Sequence, residues 1–157
     1  MSAPLISITT ASIKEGKLDD FRQFTERLVA SFEAREPQII AFNVFLNEDE
    51  TEMTSIQVHP TPASMDSHRE VLKQVLGEDM AEWVERADFL EIKHIEIYGS
   101  PSEALLKDDQ PWVDSGAITR MIKPVHVAGF TRSPAGEIAP VGDSSDDLPT
   151  PPPSSHS

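Results

Sequence analysis

The sequence predicts an α+β domain, and three observations carry that prediction. Apolar side chains alternate with a period of two residues in four separate stretches. Two amphipathic stretches of helical period lie among them. Their order along the chain is strand, helix, strand, strand, helix, strand, which is a split βαβ arrangement rather than the alternation of a parallel sheet.

The first strand is Leu5 to Ser12, with Ile6, Ile8 and Thr10 on one side and Leu5, Ser7, Thr9 and Ala11 on the other. Lys14-Glu15-Gly16 is its turn. From Lys17 the period changes, and Leu18, Phe21, Thr25, Leu28 and Phe32 recur on one helical stripe. Asp19 and Asp20 favour the start of that helix through its dipole. Pro37 ends it, because the residue before a proline is pushed out of the helical region. Ile39 to Asn47 reads as the second strand, with Ile40, Phe42, Val44 and Leu46 opposite Ile39, Ala41, Asn43 and Phe45. The polar run from Asn47 to Glu50 has hairpin length.

The third strand, Met53 to His59, sets Thr54, Ile56 and Val58 against Met53, Ser55, Gln57 and His59. Pro60 and Pro62 stop it, and Thr61 is placed to cap a helix whose first residue is Pro62. That helix is expected to run to Ala87 with an interruption near Gly77, carrying His68 on one stripe with Met65 and Leu72, and Trp83 and Val84 late in its course. The fourth strand, Phe89 to Tyr98, breaks its alternation between Ile92 and Ile95, which a bulge would explain. The whole is a ferredoxin-like unit over residues 3 to 100. Ile39, Ala41, Phe45 and Met53 form an apolar set pointing away from the helices. Such a face needs a cover, and a second copy packed sheet to sheet across a two-fold axis supplies one.

Beyond Ser100, Ser102 to Lys107 reads as one or two helical turns and Gln110-Pro111-Trp112 as a break. Ile118 to Arg132 has strand-like stretches around Pro124, which disfavours a central strand, so it is expected on a sheet edge or across a partner. Residues 101–132 are thus an extension with dimer contacts. From Ser133 the chain has six prolines, four acidic residues, no Lys or Arg and no aromatic residue, and is expected to be disordered.

Composition narrows function further. The 157 residues include 27 acidic and 13 basic ones, for a formal charge of -14. That balance opposes nucleic acid and anionic membrane surfaces alike. The absence of cysteine removes disulfides, thiolate metal sites and thiol nucleophiles. With no signal-peptide pattern and no apolar stretch of spanning length, a soluble cytoplasmic protein is expected. No Gly-rich phosphate loop and no GxSxG elbow is present.

The element order, the Gly16-Lys17 turn followed by Phe21 and Phe24, and the passage SIQVHPTPASMDSHREV resemble antibiotic biosynthesis monooxygenase-like proteins. The resemblance covers roughly the first hundred residues. It implies a dimeric α/β barrel, a homodimer, and no cofactor. It also implies oxygenase chemistry on a quinol-like or hydroxylated aromatic substrate, with His68 where such proteins often place a histidine. Haem-degrading relatives use an Asn, Trp and His set, which Trp83 and Trp112 match poorly by position. Non-catalytic single-domain members are common as well.

On the residues alone, His68 is a candidate general base, since an imidazole titrates near neutrality, or a buried histidine bonded to a carbonyl. Ser55, Gln57 and His59 share a strand face, and Asn43 on the neighbouring strand completes a candidate substrate-binding floor; the competing reading of the same residues, which single polar residues on a strand favour, is a hydrated polar seam at a dimer interface. His59, His68 and Asp66 fit no established metal-ligand spacing, so no metal site is assigned. His94 reads as a cross-strand residue and His126 as part of the extension, and the acidic hairpin as solvated.

Overall fold

Nine residues from Leu5 to Ile13 form β1, the strand on which the sheet is built, since both its edges are paired. The computed structural model describes residues 3–80 and 88–132. The expected passage of the second helix through Trp83 and Val84, and the expected disorder from Ser133 onward, lie outside the described residues.

After β1 come α1 (Leu18–Arg35), β2 (Ala41–Leu46), β3 (Glu52–His59), α2 (Pro62–Gln74), β4 (Leu90–Tyr98), α3 (Glu103–Asp114) and β5 (Thr119–Lys123). The sheet order is β2-β3-β1-β4-β5. The first four strands pair antiparallel in the ferredoxin-like order, and β5 joins β4 in parallel at the edge. Lys123 ends β5 directly before Pro124, which has no amide hydrogen to continue a ladder.

Register decides which residues share a face. Ala11 pairs with Met53, Thr9 with Ser55, Ser7 with Gln57 and Leu5 with His59. Leu46, Val44 and Phe42 continue the Met53, Ser55 and Gln57 rows on β2. This face meets the helices: Ala11, Met53 and Phe21 belong to one buried cluster with Val75, Met80 and Phe89, and Leu5 and Ile97 belong to another with Met65. Met53 therefore lies in the core, not on the outward face with Ala41 and Phe45. A strand shifted by one residue presents its opposite side chains, and the hairpin sets Met53 against Leu46 rather than Phe45. The outward face carries Ile6, Ile8, Ile56, Val58, Ala41 and Phe45 instead.

Two irregularities follow the sequence closely. The β1–β4 register slips between Thr10 and Ala11, whose partners are His94 and Ile92, so Lys93 is the extra residue of the expected bulge. The second helix gives way at Val75–Asp79 to a π-helical turn containing Gly77. The third helix departs from expectation, since it runs through Pro111 instead of breaking there. Tertiary contacts hold it: Arg120 on β5 donates to the Leu106 carbonyl at 3.0 Å, to Asp109 at 3.3 Å and to Gln110 at 2.6 Å. They offset the single backbone bond that a proline removes.

Candidate functional site

The passage from β3 into α2 places three polar side chains in the interior. Pro60 stops the strand at His59, and Thr61 caps the helix, its hydroxyl accepting from the Ser64 amide at 3.2 Å. Pro62 occupies the first helical position, where its missing donor costs nothing. Ser64 and His68 then lie four residues apart on one helix face, directed at the sheet together with Met65. All of them are buried: His59 is 0% exposed, Ser64 6% and His68 2%.

A fourth member comes from the end of α1. Glu36 caps that helix, its amide donating to the Phe32 carbonyl at 2.8 Å. Its side chain turns inward and is 2% exposed. Glu36 Oε2 lies 2.8 Å from His68 Nδ1. A carboxylate in this contact accepts, so Nδ1 carries the hydrogen and, in the neutral ring, the lone pair stands on Nε2. Among the described residues, Nε2 has no hydrogen-bond partner. Phe32 meets the His68 ring edge-on at 4.5 Å between centroids, and Phe42 of β2 stands at 5.8 Å. The imidazole is held in one orientation by a charge on one side and two aromatic rings on the others.

His59 is a neighbour of different character, 5.6 Å from His68 between ring centroids. Its Nε2 meets Gln57 Oε1 at 3.0 Å and its Nδ1 meets Ser64 Oγ at 2.8 Å. The Gln57 oxygen can only accept, so Nε2 donates and the Ser64 hydroxyl donates to Nδ1. The pKa of His59 is pushed down to about 4, by burial first and by the adjacent His68 second. Near neutral pH this ring is uncharged, and it serves as a fixed polar wall.

The residues singled out in the sequence are thus divided by the sheet. Ser55, Gln57 and His59 share the helix-facing side with His68, whereas Asn43, paired with Ile56, is exposed on the opposite side. Asp66 is engaged elsewhere, accepting from Ser102 at 2.7 Å and facing Arg69. Among the described residues, no group of three His, Asp or Glu side chains is placed to hold a metal ion. Glu36 was not singled out in the sequence, although a signal existed. A carboxylate at the C-terminal end of a helix opposes the helix dipole and calls for a compensating partner.

An open groove of about 490 Å³ runs along the end of α1 and β2, lined by Val29, Phe32, Glu36, Ile40, Phe42 and neighbouring residues. Its lining includes the three residues packed against His68, namely Phe32, Phe42 and Glu36. His68 itself is not on its wall.

No family model matches the chain, and no curated protein does. Solved structures do match. MupZ from Pseudomonas fluorescens is 17% identical with a TM-score of 0.59, over 84% of this chain and 91% of that one. The chain shares with it the ferredoxin-like α+β fold. Other solved structures that match are SnoaB from Streptomyces nogalater, described as a cofactor-independent oxygenase, and a Nitrosomonas europaea protein named as an antibiotic biosynthesis monooxygenase. SnoaB is 14% identical over 64% of this chain and 96% of its own, with a TM-score of 0.48. The Nitrosomonas protein is 20% identical over 64% and 92%, also at 0.48.

Proposed function

We propose that this protein is a cofactor-independent monooxygenase acting on a small hydroxylated aromatic or quinol-like substrate. The observation that carries the reading is the buried Glu36–His68 pair, with Nδ1 tied to the carboxylate at 2.8 Å and Nε2 left as the basic nitrogen. Such a pair is suited to abstracting a proton, because the carboxylate fixes the tautomer and stabilises the imidazolium that forms. The substrate anion then supplies the electrons for reaction with oxygen. Protonation of that anion on carbon gives the keto tautomer, whose ring carbon beside or opposite the carbonyl bears two hydrogens; that carbon becomes a carbonyl as one oxygen atom enters and the other leaves as water with both hydrogens. The balance needs no flavin and no metal. Phe32 and Phe42 would hold the flat ring, the Gln57 amide, fixed by the neutral His59, would orient the oxygen nearest His68, and Ser55 would meet an oxygen further along the sheet. Asn43, on the outward face, lines the groove together with Phe32 and Phe42 and would meet the substrate from there.

The reading includes a cytoplasmic homodimer joined through the outward sheet faces. Phe45 is 57% exposed there, beside the isoleucine and valine rows. No helix among the described residues is long and apolar enough to cross a membrane.

One observation favours a second reading, a non-catalytic barrel that binds a small ligand or a protein. His68 is nearly inaccessible and stands off the groove wall. Oxygen uptake with a panel of hydroquinones separates the two. The enzyme should consume oxygen, and both His68→Ala and Glu36→Gln should abolish or strongly reduce uptake while the protein remains folded. No turnover by wild type across the panel would leave the binding role standing.

A further inference from the structure

The interior is not one continuous apolar core. One buried cluster gathers around Ala11, Phe21 and Met53, the other around Leu5, Met65 and Ile97. Between them on the same sheet face run two polar rows, Ser7 beside Gln57 and Thr9 beside Ser55. Ser7 is 5% exposed and Ser55 8%. Among the described residues, the hydroxyls of Ser7, Thr9 and Ser55 have no hydrogen-bond partner. Gln57, by contrast, is bonded to His59. Buried hydroxyls without partners weaken a fold, and apolar side chains at these positions would join the two clusters. Two of these hydroxyls, on Ser7 and Ser55, are buried, and they share the sheet face with His59, the neighbour of a nitrogen that also lacks a partner, His68 Nε2; a ligand with several oxygens would satisfy both groups.

We propose that Ser7, Thr9 and Ser55 form an oxygen-binding subsite that extends the His68–His59–Gln57 site along the sheet. It rests on the reading above that a hydroxylated aromatic ring enters against His68. The subsite takes a second oxygen function of that ligand, carbonyl or hydroxyl, at the end remote from the reacting atom. Along a strand, the Ser7 row lies roughly 7 Å from the His59 row and the Thr9–Ser55 row roughly 13 Å from it. The second oxygen therefore belongs on the far side of the ring system and not beside the first. Serine and threonine hydroxyls both donate and accept, so they serve a hydroxyl or a carbonyl at that end.

The test compares naphthalene-2,6-diol with 2-naphthol, which lacks the second oxygen, as binding probes for the full chain. Wild type should bind the diol more tightly. The Ser7→Ala/Ser55→Ala double variant should lose about tenfold in affinity for the diol and nothing for 2-naphthol. Its melting temperature should stay level or rise, because two unpaired hydroxyls have gone. Each single variant should lose about threefold, which keeps the test available if the double variant folds poorly. A wild type that does not prefer the diol overturns the subsite, as does a double variant that loses stability but keeps its affinity. The two readings fail separately. Diol binding without oxygen consumption removes the catalytic reading and leaves the subsite; turnover and diol binding indifferent to both serines do the reverse.

Discussion

Glu36 and His68, separated by 32 residues in the chain, meet at 2.8 Å in the interior with less than 4% of either side chain exposed. One sits at the end of α1 and the other in the second turn of α2, so the contact also joins the two helices over the sheet. Removing one partner strands the other in a medium that solvates it poorly. Glu36→Ala should therefore destabilise the protein by about 3 kcal/mol, measured by urea unfolding. Glu36→Gln keeps an acceptor for Nδ1–H and should cost less than half of that. Equal losses in the two variants would show that the charge and its hydrogen bond play no part.

His59 makes stability depend on pH in a defined window. Its folded pKa of about 4 lies below the ordinary histidine value of 6.5. Between these two values the unfolded chain binds a proton that the folded one refuses, so stability falls as pH drops from 6.5 toward 4 and is unaffected by this group above 6.5. The steepest slope is about 1.4 kcal/mol per pH unit. Urea unfolding across that range should show the slope in wild type and lose this part of it in His59→Gln.

The outward sheet face predicts association. Phe45→Asp should shift the protein from dimer to monomer in light scattering at micromolar concentration. Glu26→Ala, an exposed change on α1, should leave the dimer intact. A wild type that is monomeric under these conditions would remove the dimer from the proposal.

Gly99 stands just after β4 with a φ of +108°, and a Cβ built there would lie 2.6 Å from the Pro4 carbonyl oxygen. Gly99→Ala combines a backbone strain with a clash against main chain that cannot rotate away. It should lower stability by about 2 kcal/mol or more. Gly77→Ala, where the added methyl meets none of the described residues within 4 Å, should be neutral or stabilising.

Local physics made much of this protein legible in advance. The period-two and helical patterns, the proline stops, the Thr61 cap and the bulge between Ile92 and Ile95 depend on residues near one another in the chain, so the sequence by itself determined the elements and their order. It also placed His59 and His68 together, because only nine residues and one capped turn separate them. The tertiary structure alone decided the rest. Whether Met53 faces inward or outward turns on a one-residue choice of hairpin register, which alternation cannot reveal since either choice preserves it. The same parity sends Asn43 to the opposite face from Ser55, Gln57 and His59. Pro111 stays helical because Arg120, from a strand further along, grips its helix. Glu36 becomes the partner of His68 only when α1 and α2 pack side by side, and a contact across 32 residues leaves no trace in any local period.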